Sequence, residues 1–234
     1  MTAVAHPVLA LDSSTRGGSV AIGVDGEVIA QRVLEAATGA SSLLMPAVDE
    51  AVRAAGLHPR DLSMIVVGGG PGSFTGLRIA AATAKALVRA LGVPLLAYSG
   101  LMAAAATLRH SGRPAAALFD ARNREVFAGC WRFGPGSANV LLAPVILSLD
   151  DAVDRLAPHS PVLTGDGAAA HAGALRAAFG ADAVVGEPRE SPAAGLLWLA
   201  RTVPALGRVG HPAAWEPEYL RASGAERIAA ARGA

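Results

Sequence analysis

Five glycines fall within the nine residues Gly68-Gly-Gly-Pro-Gly-Ser-Phe-Thr-Gly76, between an apolar, β-branched run (Leu62 to Val67) and a helical pattern from Leu77 to Leu91. Glycines at this density let a backbone turn sharply and let other chain segments approach it closely. The implied order is strand, glycine loop, helix. Similar alternation precedes and follows it. Val8 to Leu11 ends at Asp12, the polar turn Ser13-Ser14-Thr15 follows, and Ser19 to Val24 reads as a second strand. Asp25-Gly26 suits a tight hairpin into a third strand, Glu27 to Leu34. Leu43, Leu44, Val48, Val52 and Ala55 recur at three- and four-residue steps, as on one face of a helix stopped by Gly56. Val93 to Tyr98 and Gly100 to Arg109 repeat strand and helix, so the first half reads as a mixed sheet covered by helices.

A polar, Pro- and Gly-bearing stretch from His110 to Pro114 marks a boundary. The pattern then restarts with strands at Ala115 to Phe119, Glu125 to Phe133 and Val140 to Leu147. Leu149 to Leu156 reads as a helix, Val162 to Thr164 as a strand, and Ala168 to Phe179 and Pro192 to Leu206 as helices. Two α/β units are expected, residues 1–110 and a smaller one over 111–234, with fraying from Ala230 onward. Of the 234 residues 52% are hydrophobic, enough for a core in each unit, while 20 Lys plus Arg against 19 Asp plus Glu give no general attraction to nucleic acid. The start MTAVAHPVLALD has no basic segment leading into a signal-length apolar run, and a single cysteine, Cys130, forms no internal disulfide. A cytoplasmic chain without membrane spans is expected.

The glycine loop is not a Walker A motif, because Gly76 is followed by Leu77 and Arg78 rather than Lys. Nor does it fit a dinucleotide fingerprint, since its spacing differs and no acid ends the strand Val93 to Tyr98. Two readings remain: close packing of helix on strand, or anion binding through amides at Gly70 and Gly72. Asp12, Ser13, Ser14 and Thr15 read either as a self-bonded polar turn or as a loop offered to nucleotide phosphates. The six histidines, at 6, 58, 110, 159, 171 and 211, form no helical metal pair, and Cys130 sits in an apolar strand pattern without a nearby histidine. No catalytic group and no metal site are expected. Asp120-Ala-Arg122-Asn-Arg124-Glu125 is a charged strand-to-strand turn, either internally ion-paired or facing a ligand or partner. Glu216-Pro-Glu-Tyr219-Leu-Arg221 suits a C-terminal clasp.

Taken together, LALDSST (9–15), GGGPGSFTGLRIA (68–80), DARNREVF (120–127) and EPEYLR (216–221) resemble the TsaB (YeaZ) family over nearly the whole chain. The resemblance implies two actin-like (ribonuclease H-like) lobes, the second reduced. It also implies a non-catalytic scaffold role in making threonylcarbamoyl-adenosine at position 37 of tRNAs that read ANN codons. The family's partners are TsaD, which carries the metal and the transfer chemistry, and TsaE, beside a TsaC-type synthase. A TsaB-type chain also pairs with itself, meets tRNA through the complex, and has no cofactor of its own, with ATP at the complex interface. Two departures stand out: Phe127 where the family often has Tyr, and Ala40 where His is frequent. Family pairing runs through helices of the first lobe, which nominates Leu43, Leu44, Pro46, Phe74, Leu77 and Arg78 as interface residues; for the neighbouring Ile79, core packing is the expected fate. An ATP-dependent phosphotransferase using Asp12 and the glycine loop is the competing class.

Overall fold

The computed structural model describes residues 6–15, 17–25, 27–34, 40–184, 186 and 188–221. The opening meander forms as its alternation predicts. Strands β1 (Val8–Asp12), β2 (Gly18–Val24) and β3 (Glu27–Leu34) pair antiparallel, and β4 (Met64–Gly68) and β5 (Leu95–Tyr98) extend the sheet parallel to β1, in the order β3-β2-β1-β4-β5. Strands β6 (Ala115–Arg122), β7 (Glu125–Gly134), β8 (Ser137–Ser148) and β9 (Val162–Thr164) repeat this plan with one strand fewer, in the order β8-β7-β6-β9.

Period-two alternation along the strands separates large side chains from small ones. Leu9, Leu11, Val20, Ile22, Ile65 and Val67 face α1 (Ala40–Ala54) and α2 (Phe74–Leu91). Ala10, Ala21 and Val66 face the opposite way, where α3 (Gly100–Ala106) and α7 (Pro192–Thr202) fill the space between the two sheets. Every residue of α3 is buried, as its sequence GLMAAAA, apolar on all sides, requires. The outer face of the second sheet, with Ala116, Leu118, Val126 and Ala128, is covered by α4 (Leu149–Leu156), α5 (Asp166–Ala170) and α6 (Ala172–Phe179). Cys130 is buried in that layer, and burial pushes its thiol up to about 11.

Helix starts follow local chemistry. The hydroxyls of Ser73, Ser148 and Ser191 each accept an amide of the first turn of α2, α4 and α7, and Gly92 closes α2 in the left-handed region at φ 71°. Several helix bounds are redrawn, among them the helix expected from Gly100 to Arg109, which ends at Ala106. Helix α2 begins at Phe74 because Ser73 caps it there, and the stretch 168–179 divides into α5 and α6 at His171. The helix expected to run from Pro192 to Leu206 stops at Thr202, and Pro204 opens a separate short α8 (Pro204–Gly207), because proline supplies no amide to continue α7. Expectations for Gly26 and for residues 230–234 lie outside the described residues.

Helix α7 returns from the second half of the chain to cross the first sheet. Ala193 N–H donates to Ser19 Oγ at 3.0 Å, and Arg109 pairs through both terminal nitrogens with Glu190 just before the helix. Where α7 crosses α3, a Cβ on Gly195 would lie 2.1 Å from the Ala103 carbonyl oxygen. Gly195→Ala therefore loses stability, by ~1–3 kcal/mol, although alanine is the better helix former by ~1 kcal/mol. Gly173→Ala in α6, where a Cβ meets nothing within 4 Å, gains up to ~1 kcal/mol. Urea unfolding of both variants reads this contrast, and equal effects would show that the crossing has slack.

Candidate functional site

Strands β1 and β4 are parallel neighbours, so their C-terminal ends deliver the turn 12–15 and the glycine loop to the same edge of the sheet. There the two loops interlock. Ser13 Oγ donates to the Gly76 carbonyl at 2.7 Å, and Ser73 N–H donates to the Ser14 carbonyl at 2.7 Å. Ser14 donates its hydroxyl to Asp12 Oδ1 at 2.6 Å and its amide to Asp12 Oδ2 at 3.2 Å. Asp12, Ser13 and Ser14 are all buried. Cβ atoms built on Gly68, Gly76 and Gly100 would stand 1.9 Å from Asp12 Oδ1, 2.0 Å from the Ser13 carbonyl oxygen and 2.3 Å from Ser14 Oγ. One on Gly72, at φ 155°, would stand 2.1 Å from the Ser14 carbonyl oxygen.

These contacts give the glycine loop its packing role. Gly69 N–H donates to the Tyr98 carbonyl, Ser73 N–H to Ser14, and Gly76 N–H to Ser73 Oγ, so these amides are held by internal oxygens. The Asp12 carboxyl meets Gly68, Gly100 and Ser14 where a phosphate would need space, and burial raises its pKa. The loops thus fill the volume between them with their own atoms. Thr15, only half-buried, stands apart and lines an interlobe cleft of about 480 Å³ with Phe119, Thr164, Asp166 and Ser191.

Asp166 is a site residue that the sequence motifs do not nominate. It follows β9 in Thr164-Gly165-Asp166-Gly167, and its Oδ1 accepts amides from Asp120 at 3.1 Å and Gly167 at 3.0 Å. Burial, chiefly, raises its pKa. The signal that could have found it is an aspartate at the C-terminal end of a strand, as at Asp12, here set between two glycines.

The C-terminal segment forms the expected clasp and joins the remaining motifs. Glu218 N–H donates to the Gly69 carbonyl at 2.7 Å, and the Glu218 carbonyl covers Gly70. Tyr219 stacks on Phe74 with ring centroids 5.0 Å apart, and Glu216 meets Lys85 Nζ at 2.6 Å. Arg221 then reaches the second sheet, donating to the Ala121 carbonyl and pairing with Glu125.

The six nominated interface residues divide. Leu44 and Leu77 are 1% exposed, because helical periodicity turns both toward the sheet, and neither presents a surface. Val48 is buried, and Ile79 packs against the same core. Pro46 and Arg78 are exposed, while Leu43 and Phe74 are half-buried, with Arg78 lying 4.1 Å over the Phe74 ring. Met45, 49% exposed beside Pro46, joins them although the helical pattern does not single it out. A buried neighbour before it in sequence was the available signal. Among the described residues, no group of three or more His, Cys, Asp or Glu could hold a metal ion, and no helix is long and apolar enough to cross a membrane.

Two sheets of one plan, with helices between and outside them and a cleft at the strand ends, define an α/β protein of the two-lobed, actin-like class. Residues 34–176 match the family model described as TsaD, tRNA N6-adenosine threonylcarbamoyltransferase. The tRNA threonylcarbamoyladenosine biosynthesis protein TsaB of Bacillus subtilis is 36% identical over 143 residues, which cover 58% of this chain and 62% of that protein. An uncharacterized protein of Mycobacterium tuberculosis is 34% identical over 95% of both chains. The crystal structure of YeaZ from Pseudomonas aeruginosa superposes with a TM-score of 0.72 at 27% identity, covering 92% of this chain and all of that one. The chain belongs to the TsaB (YeaZ) family. Its alignments span 62% of the Bacillus subtilis TsaB and 51% of that of Haemophilus influenzae.

The buried carboxyl gives a pH signature. Asp12 binds its proton more tightly in the folded than in the unfolded chain, so its contribution favours folding below the unfolded carboxylate value of about 4. That contribution is lost as pH rises through the folded-state value. The stability of the parent relative to Asp12→Asn should therefore fall as pH rises. Urea unfolding at a series of pH values checks this, and parallel curves for the two proteins would contradict it.

Proposed function

We propose that this chain is a non-catalytic partner subunit in the assembly that transfers threonylcarbamoyl to N6 of adenosine 37 in tRNAs reading ANN codons, acting with TsaD- and TsaE-type proteins. The observation that carries the reading is the interlock at Asp12: the loops that would grip a nucleotide in a kinase-like relative are filled by each other. A subunit built this way contributes surface rather than chemistry. It has no cofactor of its own, ATP is bound where it meets the TsaD-type partner, and tRNA is met through the complex. Its two lobes meet near residue 110, with α7 and the C-terminal segment of the second half packed back on the first sheet, and the cytoplasm is its location.

The surface for partner or self-association lies on α1 and α2. Leu43, Met45 and Pro46 on α1, with Phe74 and Arg78 on α2, supply apolar area beside one guanidinium, and α2 turns the small side chains of Ala82 and Ala86 outward. Small residues let a facing helix approach closely, and covering this area contributes about 25 cal/mol per Å². The competing reading, an ATP-dependent phosphotransferase, would need the interlocked loops to part and the Asp12 carboxyl to become exposed.

Met45→Glu combined with Arg78→Glu should abolish co-elution with the TsaD protein of the same organism in size-exclusion chromatography with light scattering. Both side chains are exposed, so the melting temperature should stay within a few degrees of the parent. Unchanged co-elution of the variant removes the helices from the interface. ATP binding and turnover by the chain alone, with no complex under any nucleotide condition, replaces the scaffold reading with the phosphotransferase.

A further inference from the structure

Of the four charges in the turn joining β6 to β7, the two acids are engaged internally. Asp120 Oδ1 accepts the Arg122 amide at 2.8 Å, and Glu125 pairs with Arg221. The guanidiniums of Arg122 and Arg124 are exposed and make no ion pair or hydrogen bond among the described residues. Yet the backbone that carries them is fixed. Arg122, Asn123 and Arg124 have φ of 64°, 54° and 61°, three successive non-glycine residues in the left-handed region, where side chains other than glycine are disfavoured. The turn is braced on three sides: Leu149 N–H donates to the Arg124 carbonyl at 3.1 Å, Asp120 N–H donates to Asp166, and Arg221 donates to the Ala121 carbonyl. An unfavourable backbone held this firmly, presenting side chains with no internal role, points outward for its purpose.

We infer that Arg122 and Arg124 form an RNA contact, gripping backbone phosphates of a tRNA. The inference rests on the reaction proposed above, in which tRNA is the substrate. Arginine's planar fork suits phosphate oxygens, and the braced turn means that the backbone carrying the two side chains need not be ordered on binding. The strap extends the surface. Arg221, which anchors the turn, is two residues from Tyr219, an exposed residue whose ring packs against Phe74. An exposed ring on the segment that anchors the arginine-bearing turn offers a face on which an unstacked base of an RNA loop can rest. The chain's net charge of +1 supplies no general attraction, so local arginines must carry such a contact.

The test measures fluorescence anisotropy of a labelled, unmodified tRNA transcript reading an ANN codon, titrated with the chain alone and with its mixture with the TsaD protein, across a salt series. Arg122→Ala with Arg124→Ala should weaken binding about tenfold or more and lower the salt slope by about 2, roughly one for each phosphate that the variant leaves unneutralised. Co-elution with TsaD, read separately, should be unchanged. Equal affinity and slope for parent and variant overturn the inference, as does absence of tRNA binding by both preparations. Loss of co-elution with tRNA affinity retained also overturns it, because the arginines then face an acidic protein surface. Failure of the parent to co-elute with TsaD counts against the proposed assembly, while the titration of the chain alone still decides the RNA contact.

Discussion

The contact between the Ser13–Ser14 backbone and the glycine loop fixes most of what surrounds it. Parallel pairing of β1 with β4 brings Asp12 and Gly68 to one sheet edge, and the missing Cβ of Gly68 is replaced by the Asp12 carboxyl. From that point Gly76 lets α2 start directly over Ser13, and Gly100 lets α3 start directly over Ser14. The two helices run from the same knot to opposite faces of the sheet, one toward the outer core and the other toward the space between the sheets. A side chain at any of these glycines would have to displace backbone or a buried carboxyl, so the departure of both helices depends on a few atoms of close approach.

In open α/β sheets, the carboxyl ends of the strands are where ligands collect, because the loops there diverge and leave a crevice. Here the loops of the first sheet converge instead, and their amides donate to one another's oxygens. Space remains farther along the cleft, beside Thr15, Phe119 and Asp166. What the knot withdraws from ligand chemistry it gives to placement, because the start of α2 is fixed by close backbone contact with Ser13. A helical face offered to another protein benefits from that, since association costs less when neither backbone must reorder.

The sequence made the sheets legible and left side-chain direction less so. Alternation along Val8 to Leu34, the Asp25 turn and the restart after Pro114 mark all three strands of each meander, because a period of two survives in short runs. The clasp was legible as a motif, but its route was not: nothing local to EPEYLR says that Glu218 pairs with Gly69 while Arg221 reaches Glu125. The interface nominations failed at Leu44 and Leu77 for a similar reason. A helix pattern gives the apolar face, and that face belongs to the core; the nominated Arg78 is exposed, and so is Met45, one residue past Leu44, which the pattern did not single out. At the glycine loop, packing and phosphate binding ask for the same residues, and only the position of the Ser13 and Ser14 carbonyls distinguishes them.

The strap from Trp215 to Arg221 joins the features that face outward. Its Glu216 and Tyr219 hold α2 through Lys85 and Phe74, its backbone seals Gly69 and Gly70, and its Arg221 braces the β6–β7 turn of the other sheet. The Arg221–Glu125 pair is partly buried, and its guanidinium also serves a backbone carbonyl, so it anchors more firmly than an exposed pair of the same charges would. The outward face of α2 and the arginine-bearing turn, which lie on different sheets, are thus held in register by one short segment. The strap adds to each surface a brace from a segment that neither sheet contains, beside those that Leu149 and Asp166 give the turn and the sheet gives α2.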